Sequence, residues 1–184
     1  MKKIFAVSII MAAAVAVSNA QVNWDVRVGA NVSQFSEGDA GLKLGLKAGV
    51  AMEYAFSDLF VLRPGLFFSM KGSSDDTKFA AGFPKDFNLS YIELPVLASF
   101  RFPVSGNFSL ALNAGPYVAC RINGKPDALP DSEAIDFGAE AGLDFVFGRF
   151  VFGPQVQYGL NKVAKVAGES YHNINYSLTF GMKF

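Results

Sequence analysis

The sequence predicts an all-β protein: an eight-stranded antiparallel up-and-down transmembrane β-barrel behind an N-terminal signal peptide. Three observations lead there. Apolar side chains recur at every second position through eight stretches of roughly 11 residues, close to the ~9–11 that a tilted strand needs to cross a bilayer. The links between stretches alternate short and long. The positions between the apolar ones carry mostly Gly, Ala, Ser and Asn, not a solvated charged face.

The chain opens with Lys2 and Lys3, then an apolar run from Ile4 to Val17, then Ser18-Asn19-Ala20. A positive start, an apolar middle and small residues before a cut ahead of Gln21 make a secretory leader. The run is shorter than the roughly 17 residues of a spanning helix. Residues 1–20 are therefore read as a cleaved signal peptide and 21–184 as one outer-membrane β-barrel domain. The leader holds two of the 16 basic residues and none of the 16 acidic ones, so 14 basic face 16 acidic in the remaining 164 residues. That balance argues against nucleic acid, which wants a basic face. Cys120 is the single cysteine, so no internal disulfide forms, and it reads as a small apolar filler. No apolar stretch after the leader approaches about 18 residues, which excludes a helical membrane protein.

The strands follow in order. Residues 22–32 set Val22, Trp24, Val26, Val28, Ala30 and Val32 against Asn23, Asp25, Arg27, Gly29 and Asn31. Residues 44–54 set Leu44, Leu46, Ala48, Val50, Met52 and Tyr54 against Gly45, Lys47, Gly49, Ala51 and Glu53. The same parity runs through 60–70, 90–100 and 108–118, with Phe68, Leu94 and Leu112 on one face and Arg63, Glu93 and Asn113 on the other. It continues through 135–147, where Phe137 and Phe145 oppose Glu140 and Asp144, and through 150–160, where Phe152 and Tyr158 oppose Gln155 and Gln157. It ends in 173–184 with Ile174, Tyr176, Leu178, Phe180, Met182 and Phe184. A period of two is the signature of strands, which send alternate side chains to opposite faces.

The links at 56–58, 101–107 and 148–149 are tight; those at 33–43, 71–88, 120–133 and 161–172 are long. Short turns on one side and long loops on the other match outer-membrane barrels, and an even strand count leaves both termini on the short, periplasmic side. A soluble barrel would put the apolar face inside. Here that face carries too many rings for a narrow eight-stranded interior. The first strand must pair with the last, because an open sheet edge in hydrocarbon leaves costly unpaired backbone groups. Trp24, Tyr54, Tyr176 and the phenylalanines near strand ends are candidates for interfacial girdles.

On this reading a set of charges shares the lumen: Asp25, Arg27, Lys47, Glu53, Arg63, Glu93, Glu140, Asp144 and Lys183. Such a set makes either a polar pathway or a plug of salt bridges, and a narrow bore favours the plug. Pro64, Pro95, Pro116 and Pro154 fall within strands, where proline removes a ladder donor. Three of them adjoin Gly65, Gly115 and Gly153, and bulges there would reconcile them.

The fragments LRPGLFFSMKG (62–72), YIELPVLASF (91–100), NAGPYVACRI (113–122) and DFGAEAGLDF (136–145) resemble the PorT-type outer-membrane β-barrel family of Gram-negative bacteria. The resemblance implies the fold and the outer-membrane location, and places the prolines at family positions. It also implies an alternative role in transport or as a protein-secretion accessory. The alternation of Tyr176, Leu178, Phe180, Met182 and Phe184 resembles the signal read by the barrel-assembly machinery.

No P-loop, HExxH, GxSxG or zinc-ligand cluster is present. His172 is the single histidine, with Ser170 two residues before it and Glu169 nearby, so a lipid or ester hydrolase or acyltransferase is a further alternative. Asp127, Asp131, Glu133 and Asp136 are acids of a loop, read as solvated. Phe79, Phe83 and Phe87 lie among charges in 71–88 and are candidate partner anchors. The expectation is a non-enzymatic, monomeric barrel with no cofactor and no metal. Its surroundings would be outer-membrane lipid, and loops 71–88 and 120–133 would meet an extracellular or secretion partner.

Overall fold

Period-two patterning becomes strand throughout the computed structural model, which describes residues 21–35, 43–74, 86–124, 134–161, 164–166 and 169–184. The predicted leader lies outside these residues. The strands are β1 (Gln21–Phe35), β2 (Lys43–Ala55), β3 (Phe60–Ser74), β4 (Asp86–Ser105), β5 (Phe108–Asn123), β6 (Ile135–Phe147), β7 (Phe150–Gly159), β8 (Ala164–Val166), β9 (Glu169–Tyr171) and β10 (Asn173–Lys183). Eight of them close a barrel in the order β1-β10-β7-β6-β5-β4-β3-β2, every neighbour antiparallel. The seam between first and last strands is unbroken from Asp25↔Lys183 to Phe35↔Asn173. Beyond it the Phe184 N–H donates to the Trp24 carbonyl at 2.8 Å.

Several boundaries differ from the sequence reading. β4 runs to Ser105, so 101–105 is strand and the link is only Gly106-Asn107. The physical reason is that the parity persists through Phe100, Phe102 and Val104, while Gly106 at φ 47° takes the left-handed conformation a tight turn needs. β3, β4 and β5 likewise extend into the predicted loops 71–88 and 120–133. The predicted loop 161–172 holds β8 paired with β9, a small hairpin outside the barrel.

The prolines also correct an expectation. No register shift falls at Pro64, Pro95, Pro116 or Pro154; the shifts lie at Ser90/Tyr91 and Pro103/Ser105. Instead each proline opens a two-pair gap in one ladder with the register kept. Tyr54↔Leu62 is followed by Ala51↔Gly65, Pro64↔Val96 by Phe67↔Glu93, Pro95↔Tyr117 by Ala98↔Ala114, and Gln155↔Gly142 by Phe145↔Phe152. In every case the gap faces the preceding strand of the barrel, as the missing N–H requires.

Burial follows parity. Leu46, Leu66, Phe68, Leu94, Leu112, Phe152 and Leu178 are exposed on the outside, and the polar alternates are buried within. Cys120 is exposed on the outer face, so it does not fill the interior as expected. Its even position on β5 puts it among the apolar alternates. Around the turn end, rings meet from strand to strand: Phe60 with Phe100 at 5.3 Å, Phe108 with Phe147 at 4.6 Å, and Phe150 with Phe180 at 5.9 Å. These form an aromatic belt at one rim.

Candidate functional site

The lumen holds the chemistry, and the strands position it in two groups. Near the turn end Arg27 donates to Asp25 (2.7 Å) and to Asp144 (2.9 Å). Arg63, entering from β3, reaches Asp144 at 2.7 Å, Asp25 at 3.1 Å and the Asn113 side-chain amide oxygen at 3.0 Å. Glu53 on β2 accepts from Lys183 at 2.8 Å and Arg101 at 2.9 Å, with Arg63 Nε at 3.4 Å. Seven strands thus meet in one network.

Nearer the loops, Glu93 takes Lys71 at 2.6 Å and Lys47 at 3.3 Å, while Lys47 also stands 3.7 Å from Glu140. The Gln157 amide donates to both Glu93 (3.1 Å) and Glu140 (2.7 Å), and its oxygen accepts from Lys71 and Asn175, each at 3.1 Å. Asp136 accepts from the Tyr117 hydroxyl and the Asn173 amide. Leu89, Tyr91, Tyr117 and Ala119 pack together beside this group.

Phe67 sits on β3 halfway between Arg63 and Lys71. Its ring occupies room left by two lumen glycines: a Cβ at Gly49 or Gly65 would come within 2.6 Å of it. The Lys47 ammonium lies 5.2 Å from the ring centroid.

All nine charges selected from the sequence lie in these networks, each 3% exposed or less except Lys183, the nine being Asp25, Arg27, Lys47, Glu53, Arg63, Glu93, Glu140, Asp144 and Lys183. The sequence reading missed Lys71 and Arg101 because it ended those strands at 70 and 100. The odd parity carried one step further would have found both. Asp136 was read as a loop acid; it is the second residue of β6 and its side chain is buried in the lumen. An ion of either sign taken alone into so narrow a space would be costly, and pairing with additional hydrogen bonds offsets that cost. Five carboxylates and six cations form ion pairs among the described residues, and buried Asp136 adds a sixth carboxylate.

The other candidates are scattered. The His172 Nδ1 lies 3.0 Å from the Gly159 carbonyl, with its ring stacked on Tyr158 at 5.7 Å. The side chains of Glu169 and Ser170 fall outside the described residues, as do Phe79, Phe83, Asp127, Asp131, Glu133 and the Phe87 ring. Among the described residues no group of three or more His, Cys, Asp or Glu is placed to hold a metal. Tyr176, Leu178, Phe180 and Phe184 are exposed on the outer face of the last strand, and Met182 is half-buried.

A closed eight-stranded barrel with rings outside and neutralised charges inside is the geometry of a small transmembrane barrel. Residues 17–165 match the outer membrane protein beta-barrel domain family, and the chain belongs to it. The protein is thus an outer-membrane β-barrel protein of bacteria. No curated protein matches the sequence. Among solved structures, the chain is similar to the outer membrane enzyme PagL at 12% identity and TM-score 0.55, covering 86% of this chain and 98% of that one. It is similar to outer membrane protein OprG from Pseudomonas aeruginosa at 15% identity and TM-score 0.51, covering 90% and 97%. Neisserial surface protein A matches at 14% identity and TM-score 0.50, covering 91% and 100%. At these identities the likeness is one of fold.

Proposed function

We propose that this protein is a plugged, non-catalytic barrel whose role is structural or one of interaction, with its partner contacts made by the long loops. The observation that carries this reading is the state of the lumen charges. Asp25 and Glu93 are fully buried, Lys47 is 1% exposed, and each is ion-paired to a side chain of another strand within the bore. An ion-conducting path needs wetted, exchangeable charges; here the carboxylates and cations are one another's solvent. Reconstituted in planar bilayers at neutral pH, the protein should give no conductance above lipid background. Steady, ion-selective channels would overturn the plug.

In this proposal the protein is a monomer with both termini in the periplasm and loops 71–88 and 120–133 outside. An epitope tag inserted in 71–88 should be labelled on intact cells; labelling only after lysis would reverse the topology.

A second reading, an accessory of transport or secretion of the PorT type, is favoured by the turn-end mouth. There Arg101 and Lys183 keep side-chain exposures of 26% and 14% and present cations to the compartment below. A deletion strain with defective protein secretion would support it, and normal secretion would remove it. For the hydrolase reading, His172→Ala should leave activity on ester substrates unchanged from baseline. A wild-type activity lost in that variant would make the protein an enzyme.

A further inference from the structure

We propose that the loop end of the lumen is a recognition site for a primary ammonium group, occupied in the resting protein by the chain's own Lys71. The side chains around that ammonium are arranged as a cage. Glu93 lies 2.6 Å from Nζ and the Gln157 oxygen 3.1 Å from it. The rings of Tyr91 and Tyr117 flank it, with centroids at 5.4 and 5.3 Å. A carboxylate, an amide oxygen and two π-faces around one nitrogen form a surface selective for a cation with N–H donors.

The cage is built independently of the lysine that fills it. Glu93 and Gln157 are fully buried, and Tyr91 and Tyr117 are each 1% exposed. Glu93 is also held by Lys47 and by the Gln157 amide. Tyr117 is held by its bond to Asp136, and Gln157 by its bonds to Glu140 and Asn175. None of those restraints passes through Lys71. The occupant, by contrast, enters from β3 three residues before that strand ends at Ser74. It is a ligand on a short tether. A tethered group competes at an effective concentration of order millimolar or higher. An external amine therefore reaches the cage only when Lys71 is withdrawn or removed.

The test uses the full barrel in detergent. Lys71→Ala deletes three methylenes and the ammonium, which n-propylammonium replaces atom for atom. The urea midpoint of the Lys71→Ala barrel, followed by its heat-modifiable gel mobility, should rise saturably with n-propylammonium. The same concentrations of n-propanol should leave it unchanged. If the variant does not fold unaided, its refolding yield should recover several-fold with the amine and not with the alcohol. The wild-type midpoint should not move over the same range, because its own lysine fills the cage. A Lys71→Ala, Glu93→Gln double variant should lose the response. No saturable response in Lys71→Ala, an equal response in wild type, or one that survives Glu93→Gln would overturn the proposal.

Discussion

Three strands converge on the carboxylate of Glu53, through Lys183, Arg101 and Arg63. Glu53→Gln keeps the shape but leaves three cations around a neutral amide. Breaking a buried pair by removing one partner costs about 3–5 kcal/mol. The lower end applies here, since Arg101 and Lys183 retain contact with water. A drop of that size should appear in urea titrations of the refolded barrel; an unchanged midpoint would mean that water already screens this network. Adjacent residues on β5 test the two faces. Leu112 is 52% exposed on the outer face, so Leu112→Arg should cost about 2–4 kcal/mol in lipid. Asn113 is buried against Arg63, so Asn113→Arg adds a cation beside a cation in a full space. That variant should depend on pH and salt more than on lipid thickness, and Leu112→Arg the reverse. Equal behaviour of the two in lipids of different thickness would contradict the sidedness.

Strands are tuned by what they leave unpaired. Three of the four proline gaps adjoin one another across β2, β3, β4 and β5, a transverse band in which the ladder is interrupted and the register held. Local opening is cheapest where backbone bonds are fewest. In hydrogen exchange by NMR in micelles, the Val96 amide, which faces Pro116 within the gap, should therefore exchange at least about tenfold faster than that of Ala98, which lies in the continuous pair with Ala114, a difference of about 1.4 kcal/mol. Uniform protection along β4 and β5 would mean that the gaps are closed in solution. The sequence showed the prolines and the neighbouring glycines but suggested the wrong remedy. A bulge and a gap both accommodate a missing donor, and only the pairing across both flanking strands separates them.

For the molecule as a whole, closure is the central event. Phe184 contributes a half-turned backbone contact with Trp24 and an outward ring, and little of the lumen. Its two backbone bonds to Trp24 are worth about 1 kcal/mol each. Deleting Phe184 should lower the refolded barrel's stability by no more than that sum while sharply reducing the amount assembled in cells. Equal surface levels in the truncated strain would argue against a recognition role for the strand end.

Much of this was legible before folding. Alternation at Leu46, Leu66, Leu112 and Leu178 specified strands, their sidedness and, through the rings, lipid outside. The nine charges followed from the same parity, because a period of two leaves each residue only one face to occupy. What parity cannot carry is distance across the bore. That Arg63 spans to Asp144, that Lys71 lies between Tyr91 and Tyr117, and that Phe67 fills the space beside Gly49 and Gly65 depend on stagger between strands far apart in sequence. Sequence alone determined which face each side chain takes, since that is local backbone geometry. Only the closed barrel decided which charge meets which, since that depends on how eight strands are offset when the first is joined to the last.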